Sequence, residues 1–276
     1  MASRRAVPLI TLSSDLGWAY AAQMRAVLAH RVPPGHVVDL AHDLPAHAVA
    51  EAAFVLRAMA AGFPAGTVHV AVVDPGVGGT RLPVAVACAD GSALVGPDNG
   101  VLAPLADRLG GGRAYRILPE RLKAPPRVGA TFDGRDLFAP AAAALAGGQA
   151  AAALGPPVRL KPARVPAPVR TRDGARGEVV HVDRFGNLIT NVPTEWVPPG
   201  TAAIDLAPGS GPSRRLAWAS HYEALPPGDV GAVGSSFGLL ELAVPRGRAA
   251  DLTGLATGAA VRLTWVAGTP ARGRRQ

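Results

Sequence analysis

The chain has 276 residues, enough for one large domain or two modest ones, and its hydrophobic fraction of 49% and charged fraction of 17% are those of a globular protein. Its net charge of +8 comes almost entirely from arginines, many of them outside the periodic segments, and no basic stripe is interleaved with aromatics. This argues against nucleic-acid binding. Cys88 is the single cysteine, which excludes an intramolecular disulfide. Apolar runs fall short of a signal peptide or a membrane span, so we expect a cytoplasmic protein.

The first half of the chain alternates short apolar runs with helical ones. Strands are predicted at residues 7–13, 36–40, 67–73 and 83–89, and helices at 20–31, 48–61 and about 135–146. Continuous apolar strands separated by helices are typical of a buried, largely parallel sheet. We therefore predict an α/β N-terminal domain over residues 1–155.

The pattern changes after residue 155. Residues 156–176 are rich in proline and arginine and have no helical or strand period, which indicates an extended linker. Short β-like runs with no convincing helix between them then predict a small all-β, barrel-like C-terminal domain over 177–268, before a basic tail at 269–276. These runs are at 177–183, 200–206, 214–219, 238–244 and 259–265.

Polar clusters follow or precede several of the predicted strands. In an open parallel sheet, ligands bind beyond the carboxyl ends of the strands, so these clusters are candidates for a site. They are SDLG at 14–17, DPGVGGTR at 74–81, GPDNG at 96–100, TFDGRD at 131–136, DRFGN at 183–187 and GSSFG at 234–238.

Each cluster also has a structural interpretation. Asp15 can cap a helix or form an Asx-turn, the glycines after Asp74 are turn formers, and Asp98 and Asn99 favour a simple turn. No P-loop and no serine-hydrolase elbow is present. The seven histidines, at positions 30, 36, 42, 47, 69, 181 and 221, lack metal-ligand spacing, so we expect no metal site. No single cluster decides a function.

Together and in this order, the motifs resemble one family. SDLG, VAVVDPGVGGTR, GPDNGVL, TFDGRDLFAPAAA, VDRFGNLITNV and SSFGLLELA look like those of the S-adenosyl-L-methionine (SAM) hydroxide adenosyltransferases. These are adenosine-forming hydrolases related to the bacterial fluorinases and chlorinases. The resemblance runs from about residue 8 to 265. It implies an N-terminal α/β domain, a C-terminal β-barrel, SAM as substrate without a further cofactor, and a homotrimer that holds substrate between one subunit's N-terminal domain and its neighbour's C-terminal domain.

The resemblance also implies which residues bind substrate. Asp15 matches an aspartate that accepts hydrogen bonds from both ribose hydroxyls, a role that suits an acceptor-only carboxylate. Asp183 matches a carboxylate that holds the methionine ammonium, Asn187 an amide that reads the adenine edge, and Ser236 a hydroxyl that meets the methionine carboxylate. The residues implied to close over the purine are Phe185, Glu241 and the backbone near Val244. For Phe185 and Val244, ordinary barrel core is the alternative.

Hydrolases of this family resemble one another in using an Asp-Arg-His set to activate water. Asp74 and Arg81 match the first two members, at the ends of the DPGVGGTR loop, and Arg81 would keep Asp74 ionised. The third does not match, because TFDGRD places Asp133 where the common motif has histidine. Two carboxylates beside one arginine should titrate as a coupled pair, and one of them could still act as base. Alternatively, the replacement slows the enzyme, or Asp133 faces away.

The loop after Asp15 is a second departure from the family pattern. It is about two residues shorter than usual and lacks a following acidic residue, so the substrate contacts it makes stay open.

Two positions bear on rival functions. Fluorinases carry serine at the position of Gly134 and tyrosine at that of Asp74, whereas chlorinases keep the glycine and use the tyrosine. An aspartate at position 74 would repel a halide, which favours water as the nucleophile. A halogenase and a non-catalytic protein that binds SAM or adenosine are the alternatives.

Overall fold

The computed structural model describes residues 7–123, 129–164, 166–209 and 212–268. The chain divides into two compact units, one up to residue 165 and the other from residue 166 onward. The predicted basic tail at 269–276 lies outside the described residues. Within the described ranges, no helix has the length and apolar character needed to cross a membrane.

The first unit is built on a seven-stranded sheet. Its strands are β1 (Ile10–Ser14), β2 (Val37–Ala41), β3 (Val68–Val72), β4 (Pro83–Cys88), β5 (Ala93–Pro97), β6 (Gly112–Arg116) and β7 (Pro157–Val158). The order is β2-β1-β3-β5-β4-β6-β7; the first four pair in parallel, and β4, β6 and β7 pair antiparallel. A tight turn rather than a helix joins β4 to β5, and so short a connection permits only antiparallel pairing.

Helices cover both faces of this sheet. They are α1 (Gly17–Ala29), α2 (Val49–Met59), α3 (Ala103–Arg108) and α4 (Ala139–Ala146), the last preceded by a π-helical turn at Gly134–Phe138. The buried residues of α1 and α4 share one apolar cluster, and those of α2 and α3 share another. Val70 of β3 joins the first cluster and Ala71 the second, so both faces of the strand are buried. The predicted α/β fold is confirmed.

His69 of β3 is buried in this core, where its Nδ1 lies 2.8 Å from the Thr11 hydroxyl. Burial lowers the pKa of His69 to about 4, although the charge of Asp90 opposes the shift. Unfolded chains bind this proton near the ordinary pKa of 6.5, so the folded state loses stability as the pH falls from about 6.5 towards 4.

We therefore expect the His69→Gln variant to lack part of the acid destabilisation of the native chain. The part that the variant lacks should amount to about 2–3 kcal/mol of unfolding free energy between pH 7 and pH 4.5. Urea unfolding of both proteins across this range measures it, with each protein serving as its own reference at pH 7.5. Parallel pH dependences for the two proteins would contradict a neutral, buried His69.

The second unit is a closed β-barrel. Its strands are β8 (Val169–Arg170), β9 (Gly174–Val182), β10 (Leu188–Pro193), β11 (Thr201–Pro208), β12 (Arg214–Ala219), β13 (Gly231–Gly234), β14 (Leu239–Ala243) and β15 (Ala260–Ala267). The order β10-β14-β13-β12-β11-β15-β9 closes because β9 also pairs with β10, which leaves β8 as a short addition on β9. The predicted all-β, barrel-like domain is confirmed, with seven strands in the ring.

Two details differ from the sequence expectations. The second unit contains a helix, α5 (Ala249–Thr253), where none was predicted; its five residues are too few to display a helical period. It ends at Gly254 with φ of +67°, a left-handed conformation that glycine adopts without strain. Strands β7 and β8 and the start of β9 fall within residues 156–176, so the proline- and arginine-rich segment carries some sheet pairing of its own.

Candidate active site

The loop between β3 and β4 folds back so that its two ends meet. Arg81 Nε donates to Asp74 Oδ1 at 2.9 Å, and Arg81 Nη2 donates to Asp74 Oδ2, which makes the pair bidentate. Glycine leaves room for this close return, because a Cβ on Gly76 would lie 3.2 Å from Arg81 Cγ, a tight contact. Gly78 has φ of +76°, which disfavours any other residue. The glycines of the loop therefore bring an arginine and an aspartate, seven positions apart, into one ion pair.

Asp133 completes the cluster from a distant part of the chain. It immediately precedes the π-helical turn, and its Oδ2 accepts a hydrogen bond of 2.5 Å from Arg81 Nη2. The side chains of Asp74, Arg81 and Asp133 are only 6%, 11% and 4% exposed. The alternative that Asp133 faces away is thus wrong: one guanidinium bridges two buried carboxylates. π-Turns of this kind are frequent at functional sites.

The cluster carries one formal negative charge, from two carboxylates and one guanidinium. Burial by itself would lower the pKa of Arg81, but hydrogen bonds to Asp74 and Asp133, together with their charges, outweigh it and raise the pKa. The guanidinium carbon also lies 5.7 Å from the centroid of the Phe138 ring. Arg81 is therefore a permanent cation held in place on three sides.

The turn after β5 supports the same edge of the sheet. Asn99 Nδ2 donates to the carbonyl of Val73 at 2.8 Å, directly before Asp74, and Asn99 Oδ1 accepts from the amide of Val101 at 3.1 Å. Asp98 Oδ1 accepts from the amide of Lys161 at 2.7 Å. These contacts agree with the structural interpretation of Asp98 and Asn99: both hold backbone, and Asn99 holds the strand end from which Asp74 projects.

Asp15 lies at the carboxyl end of β1, outside the Arg81 cluster. Its Oδ2 accepts a hydrogen bond of 2.9 Å from the backbone amide of His47. Its Oδ1 is buried, yet no donor among the described residues reaches it. His47 has φ of +65°, a conformation that non-glycine residues rarely adopt. A buried carboxylate oxygen without a donor is costly unless a ligand supplies one, and this fits a role in binding hydroxyl groups.

Gly134 is the position at which fluorinases carry serine, and here a side chain does not fit. A Cβ would lie 2.8 Å from Met24 Sδ and 2.9 Å from Phe132 Cε2, both in the buried core. We expect Gly134→Ser to destabilise the protein by about 1–3 kcal/mol through overpacking and to yield no fluorinated nucleoside. Thermal unfolding and product analysis in fluoride measure the two effects.

Gly129→Ser is the matched control, because nothing lies within 4 Å of a Cβ built there. Equal melting temperatures for the two serine variants would contradict the packing argument.

In the barrel unit, the turn after β9 is organised by Asp183. Asp183 Oδ1 accepts from the amides of Phe185 and Asn187, each at 2.9 Å, and Oδ2 accepts from Asn187 Nδ2 at 3.1 Å. Asp183 and Asn187 are therefore neighbours, and their mutual contacts serve the turn itself. The Phe185 ring is 67% exposed, so it is not barrel core.

The other predicted barrel residues lie in different surroundings. Val244 is buried in the barrel core, whereas Ser236 is exposed in the turn between β13 and β14. Glu241 is buried and its Oε1 accepts a 2.8 Å hydrogen bond from the Tyr222 hydroxyl. Burial raises the pKa of Glu241, the Tyr222 hydrogen bond lowers it, and the nearby charge of Asp183 raises it, with a net rise. Sequence reasoning missed Tyr222, and no local motif could have revealed it.

An α/β unit with an arginine-bridged carboxylate pair, followed by a seven-stranded barrel, defines a two-domain protein with a candidate hydrolytic centre in its first unit. Residues 10–155 match the family model of the SAM hydroxide adenosyltransferase N-terminal domain, and residues 177–262 match that of the C-terminal domain. The chain belongs to the SAM hydroxide adenosyltransferase family.

Named relatives agree with this membership. A protein of Salinispora tropica named (R)-S-adenosyl-L-methionine hydrolase is 40% identical over 263 residues, covering 93% of this chain and 98% of its own. One of the same name from Thermus thermophilus is 41% identical over 261 residues, covering 91% and 97%. The crystal structure of an uncharacterized conserved protein from Thermotoga maritima matches with a TM-score of 0.85 at 28% identity, covering 93% of this chain and 100% of that one.

Proposed function

We propose that this chain hydrolyses SAM to adenosine and L-methionine by attack of water on the ribose 5′ carbon. The observation that carries the proposal is the buried Asp74–Arg81–Asp133 cluster in a chain of this family. The names of its relatives specify the (R) epimer at sulfur, and we propose the same epimer as substrate here.

The leaving group of this reaction needs no acid catalyst. The C5′–S bond breaks with its electron pair going to sulfur, so the sulfonium leaves as the neutral thioether of methionine and needs no proton. One water oxygen bonds to C5′ and loses a proton, which a carboxylate accepts. Water attacks saturated carbon poorly, so the site must place it in line with the C–S bond and draw off that proton. We assign this role to Asp74, supported by Arg81 and Asp133.

Electrostatics favours water over halide as the nucleophile. The cluster's formal charge of one negative unit attracts a sulfonium cation and repels an anion, and the repulsion is strong in a site of low polarity. The crowding at Gly134 argues separately against the serine that fluorinases carry there. Hydrolysis therefore fits this cluster better than halogenation does.

Substrate binding is proposed for residues of both units. We propose that Asp15 binds the ribose hydroxyls, that Asp183 holds the methionine ammonium and that Asn187 reads the adenine edge. We further propose that Ser236 meets the methionine carboxylate, with Phe185, Glu241 and the backbone near Val244 beside the purine. The unpartnered Oδ1 of Asp15 supports the first of these assignments, and family membership supports the others.

We extend the proposal to a homotrimer that forms each site from two subunits and needs no added cofactor; family membership supports it. Mixing the inactive variants Asp74→Asn and Asp183→Ala, followed by subunit exchange, tests the arrangement. Sites shared between subunits regain part of the activity, because some receive an intact residue from each partner. No recovery in a confirmed mixed oligomer would contradict shared sites.

Product identification tests the reaction itself. The purified protein is incubated with SAM, with and without chloride or fluoride, and the nucleosides are separated and identified by mass. The proposal predicts adenosine and methionine in equal amounts under every condition. A 5′-halo nucleoside would identify a halogenase. The replacement of histidine by Asp133 favours a second candidate, a binding protein, for which SAM would be bound and recovered intact.

Asp133→Asn tests proton handling at the cluster. The substitution removes one of the two carboxylates that accept hydrogen bonds from Arg81. We therefore expect the acid limb of the kcat profile to change and kcat to fall about tenfold or more. Rates between pH 4.5 and pH 9 measure both. An unchanged profile would exclude Asp133 from proton handling.

A further inference from the structure

A buried chain of polar side chains lies behind Asp15. The Ser14 hydroxyl is 2.9 Å from His42 Nδ1, and His42 Nε2 is 2.9 Å from Asp39 Oδ1. Arg25 Nη1 donates to Asp39 Oδ2 at 2.5 Å. The His42 side chain is fully buried, whereas Asp39 and Arg25 are partly exposed. We call these four residues the His42 relay.

The residue types of the relay permit one ordered direction of hydrogen bonding. When His42 donates from Nε2 to the Asp39 carboxylate, its unprotonated Nδ1 accepts from the Ser14 hydroxyl and fixes it. Although the residue types are those of a hydrolase triad, Ser14 is completely buried and no substrate can reach it. The relay therefore orders structure rather than supplying a nucleophile.

The same segments carry the carboxylate of Asp15. The amide of Gly17 donates to the carbonyl of His42 at 3.1 Å, and the amide of Leu44 donates to the carbonyl of Ser14 at 3.4 Å. A few residues on, the strained His47 gives its amide to Asp15 Oδ2. Hydrogen bonds thus join both ends of the segment from His42 to His47 to the turn that bears Asp15. The Ser14–His42 bond lies at the His42 end of this segment.

We propose that the His42 relay positions Asp15, with His42 as a positioning residue for recognition of a vicinal ribose diol. The Ser14–His42 bond and the backbone bonds beside it hold the chain on each side of the carboxylate, Oδ2 accepts from His47, and Oδ1 is left to accept from the ligand. This deepens the proposed function, on which it rests for the nature of the ligand. Trp18, at the start of α1, packs edge-on against the His42 ring at 4.9 Å between centroids and adds a second restraint.

Asp39→Asn disturbs the relay at its link between Arg25 and His42. An asparagine amide can donate to Nε2, which moves the histidine hydrogen to Nδ1 and removes the acceptor that Ser14 uses. We expect the Kd for adenosine, measured by calorimetry, to rise about five- to tenfold, as for the loss of one hydrogen bond. Binding of 2′,3′-dideoxyadenosine should stay within about twofold of native, because that ligand has no diol to recognise.

A double-mutant cycle separates positioning from general damage. In the Asp15→Ala background, Asp39→Asn should leave the adenosine Kd unchanged, since nothing remains to be positioned. His42→Asn gives a second cycle, and His69→Asn is its matched control, because His69 is also a buried histidine but bonds to the hydroxyl of Thr11 rather than to that of Ser14. His69→Asn should lower the melting temperature without changing the ratio of the Kd for adenosine to the Kd for 2′,3′-dideoxyadenosine.

The outcomes distinguish the two proposals. Additive effects of Asp39→Asn and Asp15→Ala, or equal losses for adenosine and its dideoxy analogue, would overturn the relay's role. A native protein that binds adenosine but releases none from SAM would overturn hydrolysis and leave the relay intact. A native protein that binds neither nucleoside would overturn both.

Discussion

Asp74→Asn is expected to lower kcat for SAM hydrolysis by about a thousandfold, with little change in the Kd for adenosine. Asparagine keeps the shape of the side chain but cannot accept a proton from water. It also turns an amide NH₂ towards the Arg81 guanidinium, where two donors oppose each other. Steady-state rates of adenosine release, together with calorimetric binding, separate the two effects.

The control for Asp74→Asn is Asp98→Asn, which alters an aspartate after the neighbouring strand β5 that accepts only from the backbone of Lys161. It should retain native kcat. If Asp74→Asn kept more than about a tenth of the native rate, general-base catalysis by this residue would be excluded.

Asp15→Ala is expected to raise the Kd for adenosine by about a hundredfold or more. Two hydrogen bonds from the ribose diol to a carboxylate contribute about 1.5–3 kcal/mol each, and every 1.4 kcal/mol is tenfold in affinity. The native carboxylate is already paired on one oxygen with His47 and buried on the other, so it is held ready for the ligand. Isothermal titration with adenosine measures the change.

The control is Asp43→Ala, which removes an exposed aspartate between His42 and Leu44. This variant should bind adenosine like the native chain. The dideoxy analogue should bind the native protein and Asp15→Ala alike. A native Kd for adenosine in Asp15→Ala would remove this residue from the site.

The fold was predictable where residue patterns are local. The apolar run of β3 predicts a strand buried on both faces, and the helices α2 and α4 follow from their spacing. Closure of the barrel was harder to predict from the sequence, because it depends on β9 pairing with both β10 and β15. The direction of β4 depends on the short turn that follows it, and α5 is too short to produce a period.

The contacts of the site were likewise predictable only where the residues are close in sequence. The Asp74–Arg81 pair lies within one loop, whose glycines predict a tight return. Asp133 reaches the same arginine across 52 positions, and motif resemblance alone suggested the meeting. Tyr222 and the His42 relay have no such motif: Tyr222 meets Glu241 because β12, β13 and β14 are neighbours in the barrel, and His42 meets Ser14 because β2 pairs with β1. Contacts made by tertiary pairing of this kind lie beyond pattern analysis.

Isotope incorporation tests the central claim most directly. SAM is turned over by the native protein in ¹⁸O-labelled water with chloride present, and the nucleoside product is analysed by mass spectrometry with fragmentation. Water attack at C5′ predicts adenosine that carries one ¹⁸O in its 5′-hydroxyl group. Adenosine without the label, or a chlorinated nucleoside in its place, would contradict a carboxylate-activated water held by Arg81.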